Sequence, residues 1–269
     1  MKEDIINAYR IDNEEARLQS TLSRKVEYYS TIEALEPYCE VHKKVLDIGC
    51  GVGIYSLYLA EKGMNVTAID IVPEHIEKLN AIIKSDYSKL PIKAIVGSAD
   101  NLSEFEDEDF DIVLCMGPLY HMTSIDEQKK CLNECIRVSK VNAILFFSYI
   151  SPYSVFPCVI RGDITRISNK LVNRIIDDHK VYANDSCCFW TDNYFHVPDE
   201  IEKLLLSAGL LIKDHLATDG QSIAFQSVIN SMSKDEFEIW MEYHRKICRI
   251  PSVIGNSNHG LIIAEKRSN

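Results

Sequence analysis

The sequence predicts an α/β protein built on a doubly wound parallel sheet. Three observations lead there. Residues Val45–Gly53 read as a short apolar run, an acid and a glycine-rich turn, followed by a helix-like pattern to Gly63. A second apolar run, Val66–Asp70, again ends in an acid. Strand-like and helix-like stretches then alternate as far as Tyr149, and a βαβα series implies a parallel sheet with helices on both faces.

Each element has a local reason. Residues 12–37 carry Leu18, Leu22, Val26, Tyr29, Ile32 and Leu35 at helical spacing, and Pro37 ends the stretch. Strands are expected at Val45–Ile48, Val66–Asp70, Ile92–Val96, Phe110–Met116 and Ala143–Tyr149. Gly63 suits a left-handed cap on the first intervening helix. Pro73 suits the first turn of the next, whose buried face carries Ile76, Leu79, Ile82 and Ile83. The acidic stretch Glu104–Asp111 reads as a solvated loop. Ser124-Ile125-Asp126-Glu127 is a capping-box pattern opening a further helix.

After the fifth strand the rhythm breaks. Residues 151–199 are long for a connection and rich in aromatics, with helical spacing from Ile164 to Ile176. A helix from Asp199 to Ala208 ends at Gly209, and a strand over Leu210–Leu216 follows. A second insertion, 217–257, holds another capping box at Ser233–Glu236, then Phe237, Trp240, His244 and Ile247 on one helix face. A last strand spans Gly260–Glu265. The expected layout is one domain: a helical cap over 1–42, a core over 43–150, covering insertions at 151–199 and 217–257, and segments 200–216 and 258–269 completing the sheet.

Composition bounds the partners. The chain has 269 residues, 46% of them hydrophobic, enough for one sizeable core. A net charge of −11 and the lack of a dense Lys/Arg cluster argue against a nucleic-acid partner. No run of 18 apolar residues occurs and the amino terminus has no apolar signal core, so a soluble, cytoplasmic protein without membrane contact is expected. The nine cysteines form no Cys-x-x-Cys. Cys131 and Cys135 lack two further ligands at metal spacing, so no metal and no disulfide framework is expected, only small apolar filler.

The glycine loop narrows the ligand. Gly49 and Gly51 fit a dinucleotide fingerprint, but its sixth position is Ile54, and the third glycine, Gly53, comes one place early. Asp47 beside the loop would repel a pyrophosphate, whereas it suits a ligand bearing an ammonium group. S-adenosylmethionine has an ammonium, a sulfonium and no phosphate. Asp70 is placed to accept hydrogen bonds from both ribose hydroxyls.

These residues resemble a class I S-adenosylmethionine-dependent methyltransferase from Lys44 through Lys140, and more loosely to the end. The motifs are Asp47–Gly53, Asp70, Gly97-Ser98-Ala99-Asp100-Asn101-Leu102 and Cys115-Met116-Gly117-Pro118-Leu119-Tyr120-His121. The resemblance implies a Rossmann-like sheet of seven strands with the last antiparallel, an amino-terminal helical segment over the pocket, and helical lids. It implies that Asp47 acts on the methionine ammonium, with Gly49, Cys50, Gly51 and Gly53 around the methionyl and ribose groups. Asp70 would hold the ribose and Ile71 would pack on adenine. Asp100 would meet the adenine amino group, and Ala99 or Asn101 would donate a backbone N–H to the ring. Cys115 and Gly117 would edge the methionyl pocket. Arg17 and Tyr28 would face substrate. Apart from the resemblance, His196, beside Tyr194 and Phe195, is, after His121, a second candidate base on the substrate side.

Methyl transfer from a sulfonium is an in-line displacement that needs alignment more than a conspicuous catalytic group. Tyr120 and His121 lie where acceptor meets methyl, and His121 is the candidate base because histidine titrates near neutrality. Gly117-Pro118-Leu119-Tyr120 lacks the amide or carboxylate that nucleobase-amine methyltransferases place there. The expected activity is methylation of O, N or S on a small molecule. An RNA or protein acceptor, or a non-catalytic S-adenosylmethionine-binding module, stays open.

Overall fold

The computed structural model describes residues 2–11 and 17–268. The strands are β1 (Lys44–Ile48), β2 (Asn65–Asp70), β3 (Ile92–Val96), β4 (Phe110–Cys115), β5 (Ser139–Ile150), β6 (Lys180–Val181), β7 (Asn193–Tyr194), β8 (Leu210–Ala217) and β9 (His259–Lys266). Seven of them form one sheet in the order β3-β2-β1-β4-β5-β9-β8, and β6 and β7 pair apart from it. The first five are mutually parallel, with Asp47 opposite Ala68 and Ile48 opposite Cys115. β9 runs antiparallel to both neighbours, Phe147 facing Ile262. The doubly wound sheet with a reversed last strand is the one expected.

Helices cover both faces. They are α1 (Lys2–Ile11), α2 (Leu22–Leu35), α3 (Ile54–Glu61), α4 (Pro73–Asp86), α5 (Ile125–Val138), α6 (Pro152–Gly162), α7 (Asn169–Ile176), α8 (Pro198–Ser207), α9 (Gln226–Ile229), α10 (Lys234–Ile247) and α11 (Pro251–Ile254). On one face Leu132 of α5 and Ile201 and Leu205 of α8 pack against Leu46, Val113 and Phe147. On the other, Leu35 of α2 and Leu59 of α3 pack against Val45, Leu114 and Phe146. These side chains are fully or almost fully buried, and each contributes about 1.5–3 kcal/mol. Both expected capping boxes form, at Ser124/Glu127 and Ser233/Glu236.

Four local expectations need correction. The continuous helix over 12–37 is not observed: residues 12–16 lie outside the described residues, a turn follows at 18–21, and Thr21 caps α2 through its side chain. A threonine oxygen that bonds a nearby backbone N–H offers an alternative to helix, which interrupts the apolar spacing there. Val26 and Leu35 of the apolar stripe are buried and Tyr29 is exposed, and α2 also buries the polar Ser23, Glu27, Ser30 and Thr31, so its buried face is wider than the stripe. The stretch from Ile164 to Ile176 splits into a 3₁₀ turn (Ile164–Arg166) and α7, because Ser168 caps the latter. The loop before β4 is more than solvated chain: Arg137 bonds the Asp107 carboxylate and the carbonyls of Leu102 and Phe105.

Cys115, Cys131 and Cys135 meet in the core, their sulfurs all within 4.8 Å of one another, and all three are fully buried among apolar side chains. Spacing alone pairs Cys131 with Cys135 and misses Cys115, which arrives from β4.

Candidate active site

Two cavities open at the carboxyl end of the sheet. The first, of about 180 Å³, is built around the turn between β1 and α3. Gly49, Gly51 and Gly53 all have positive φ, 73°, 56° and 84°. Only the middle one faces space: a Cβ on Gly51 would meet nothing within 4 Å, one on Gly49 would meet Pro118 Cδ at 2.9 Å, and one on Gly53 would meet Leu79 Cδ1 at 2.5 Å. Gly51 therefore keeps the cavity floor open, while Gly49 and Gly53 let neighbouring segments close on the loop.

Asp70, at the end of β2, ties the loop down. One carboxylate oxygen accepts the Gly51 N–H at 2.8 Å and the other the Val72 N–H at 2.8 Å, with His75 Nδ1 3.4 Å away. The acid thus both holds the two turns together and forms part of the cavity wall. Each oxygen has a second lone pair left for a ligand. Asp47 is buried and accepts from Ser56 Oγ at 2.6 Å. Burial raises its carboxyl to about 7, with Ser56 pulling the other way and the charge of Asp70 adding to the rise. Asp100, which accepts from Ser98 Oγ at 2.6 Å, lines the opposite wall with Ala99, Ile71 and Gly97.

Four acids line this cavity, Asp47, Asp70, Asp100 and Glu127, against one arginine, Arg17. An acidic cradle with an open glycine floor fits a cationic sulfonium nucleoside and disfavours a diphosphate.

Of the site residues expected from the sequence, Asp47, Gly49, Cys50, Gly51, Asp70, Ile71, Ala99, Asp100, Gly117, Tyr120, His121 and Arg17 are brought to this cavity. Gly53, Asn101 and Cys115 are not among its lining residues, and the Cys115 thiol points to Cys131 at 3.8 Å. Tyr28 lines neither cavity; it stacks on Tyr55 at 6.2 Å. His196 is buried outside both, packed on Tyr194 at 4.5 Å with Nε2 3.3 Å from Gln128, and burial drives it down to about 3. Aromatic neighbours in sequence draw attention to Tyr28 and His196, but those neighbours form packing layers.

His121 has both nitrogens engaged. Nδ1 is 3.1 Å from the Asp192 carbonyl, so it carries the proton, and Nε2 accepts from the Tyr9 hydroxyl at 2.9 Å. Burial lowers its pKa to about 4, against the opposing influence of Asp192. Tyr9 comes from α1, where no sequence motif points to it, and its ring also contacts Trp190 at 4.9 Å.

The second cavity, of about 690 Å³, lies between α2, α6, the 151–199 segment and the start of β9. It shares Tyr9, Arg17 and Tyr120 with the first. At its wall stands His259, which no motif announces. Its Nδ1 lies 3.0 Å from Asp219 and 3.5 Å from Glu27, and Glu27 in turn pairs with Arg17 at 3.0 Å. Burial pushes the imidazole down, but the charges of Glu27 and Asp219 outweigh it and hold the pKa above the ordinary value. Asp219 is fully buried and also accepts from Ser257 Oγ and the Asn258 N–H.

Residues 46–147 match the family model described as a methyltransferase domain, and the sheet order with its reversed last strand is that of a Rossmann-like methyltransferase fold. Among individual proteins, the ubiquinone biosynthesis O-methyltransferase of Hahella chejuensis is 36% identical over 114 residues, 40% of this chain and 44% of that protein. The match thus spans less than half of that relative's length. A solved S-adenosylmethionine-dependent methyltransferase from Methanosarcina mazei superposes with a TM-score of 0.58 at 21% identity, covering 88% of this chain and 98% of that one. The 1,6-didemethyltoxoflavin-N1-methyltransferase of Burkholderia thailandensis, solved with 1,6-didemethyltoxoflavin and S-adenosylhomocysteine, gives 0.58 at 14% identity over 99% and 87% of the two chains. At such identities the solved structures share the fold.

Proposed function

We propose that this chain transfers a methyl group from S-adenosylmethionine to O, N or S of a small molecule held in the larger cavity. The observation that carries the reading is the shared wall: Tyr9, Arg17 and Tyr120 border both the acidic cradle and the larger cavity. A donor on one side and an acceptor on the other would meet there. When bound, the donor supplies an electrophilic methyl. The acceptor lone pair forms the new bond to carbon, the carbon–sulfur pair departs with sulfur, and any acceptor proton goes to a base or water. Holding two reactants in line supplies roughly 7–11 kcal/mol of barrier reduction in favourable cases.

In this reading Asp47 balances the ammonium, Asp70 binds the ribose, Ile71 and Asp100 flank the adenine, and Gly49, Cys50, Gly51, Ala99 and Gly117 shape the cradle. His121, neutral and doubly bonded, positions Tyr9 and Trp190. The base, where one is needed, is His259, since Glu27 and Asp219 raise its basicity and it borders the acceptor cavity. The segments 1–42 and 151–199 cover the two ligands. Nine free thiols suit a reducing, cytoplasmic setting. No helix among the described residues is long and apolar enough to cross a membrane.

The test is incubation of the chain and S-adenosylmethionine with a mixed metabolite pool, read by mass spectrometry for one added methyl and for S-adenosylhomocysteine. Cofactor binding without turnover across a broad panel sinks the catalytic reading in favour of a binding module.

A further inference from the structure

The two cavities have opposite charge, and the second has a cation left over. The whole chain carries −11, yet the larger cavity is lined by Arg17, Arg24 and Arg166 against a single carboxylate, Asp163. Arg17 is committed to Glu27 at 3.0 Å. Arg166 lies 3.3 Å from Asp163 and donates to the Cys188 carbonyl at 2.7 Å. Arg24 is half-buried; its charge acts on Glu27, but among the described residues no carboxylate or carbonyl lies within hydrogen-bond or ion-pair distance of its guanidinium. On the same wall Trp190 Nε1 is a buried donor with no hydrogen-bond partner among the described residues.

A guanidinium half removed from water loses hydration unless an anion replaces it, and it is the side chain best matched to a carboxylate. The rest of the wall is apolar, supplied by Ile150, Val155, Phe189 and Phe195. We propose that the acceptor is a small organic acid: its carboxylate sits on Arg24 and its apolar body lies against the aromatic wall, leaving the nucleophile to reach the Tyr120 border. The proposal rests on the methyl-transfer reading of this cavity and names its substrate class. An amine or other cation in that place would stand against the Arg24 guanidinium, since Glu27 is already taken up by Arg17 and Asp163 by Arg166. Sulfonium and carboxylate would then each occupy the cavity of opposite sign, and neither fits the other's site.

The experiment uses the full chain saturated with S-adenosylhomocysteine. Calorimetry compares 4-hydroxycinnamate and 3-phenylpropanoate with their neutral amides. The acids are expected to bind at least tenfold more tightly than the amides. Arg24→Gln should bring that ratio to within about twofold with S-adenosylhomocysteine affinity unchanged, and Arg24→Lys should retain part of the preference. Equal affinity for acids and amides, no binding of either, or a preference that survives Arg24→Gln overturns the inference. The broader reading fails separately: a chain that binds no S-adenosylhomocysteine is not the proposed methyltransferase, whereas one that methylates neutral acceptors without preferring acids keeps that function and loses this substrate class.

Discussion

The three glycines of the β1–α3 turn share a backbone conformation and differ in what surrounds them, which separates folding from binding. Alanine at positive φ costs about 1–2 kcal/mol at any of the three. At Gly51 nothing more is added, because a Cβ there meets open cavity. For a chain of this size about 1 kcal/mol corresponds to roughly 2–4 °C, so Gly51→Ala should melt about 2–8 °C below the parent. At Gly53 the new methyl would stand 2.5 Å from Leu79 Cδ1, and Leu79 is itself fully buried. Overpacking of that kind adds about 1–3 kcal/mol, so the drop should be about 4–20 °C. Affinity should follow the opposite order. Gly51→Leu fills the cradle and should abolish S-adenosylhomocysteine binding in calorimetry while the circular-dichroism spectrum stays that of the parent. Gly53→Ala should bind nearly as the parent at temperatures where it is folded. Unchanged affinity in Gly51→Leu refutes the assignment of this cavity, and a Gly53→Ala protein as stable as Gly51→Ala refutes the packing argument.

Further outcomes can be measured on the same protein. Asp70→Ala should weaken S-adenosylhomocysteine binding by roughly 1–3 kcal/mol and lower the melting temperature too, because the Gly51 and Val72 amides lose their acceptor; a full-affinity variant would end the ribose assignment. Burial holds Asp47 at about 7 in the free site, so an arriving ammonium should favour its charged form and expel a proton. Affinity should therefore rise by up to about tenfold from pH 6 to pH 8, and Asp47→Asn should be flat across that range in calorimetry. His259→Asn should lower turnover by about 10²–10⁴-fold without weakening cofactor binding. Because the base must be neutral and its pKa is raised, the wild-type rate should climb with pH through a limb above the ordinary histidine range; an unshifted limb in the variant would acquit His259.

The sheet is legible in the sequence because its strands are short apolar runs, and the central ones, β1, β2 and β4, are buried almost throughout. β3 is placed to the residue, and β1, β2 and β4 within one residue at an end. The first cavity is legible because Asp47 and Asp70 lie in or at the ends of strands and Gly49 and Gly51 follow directly on β1. The second cavity is not. Arg24 lies on α2, Arg166 at the end of a 3₁₀ turn, Trp190 in the loop between β6 and β7 and His259 at the first position of β9, and no spacing relates four residues that only folding brings together. α2 shows how narrow the margin is. The sequence points to Tyr28, one position beyond Glu27, but a step of one residue turns about a quarter of the way around a helix. Glu27 faces Arg17 and His259, while Tyr28 stacks on Tyr55.

The cluster formed by Arg17, Glu27, His259 and Asp219 argues for where function resides. Taking an ion out of water costs several kcal/mol even after relaxation, and pairing restores only part of it. The sheet does not need these charges, since apolar clusters already fill both of its faces. Glu27 stands between Arg17 and the His259 imidazole, with Arg24 acting on it from α2, and Asp219 meets the same imidazole from the other side. The cluster sits where strands end and the two cavities touch, and it joins Arg17, which lines both cavities, to His259, which lines the larger one. The charge on that histidine is thus set by Glu27, Asp219 and Arg17 together. Replacing such a buried charged group by well-packed apolar side chains is often neutral or stabilising, so the cluster is better accounted for by the proposed methyl transfer than by the stability of the sheet.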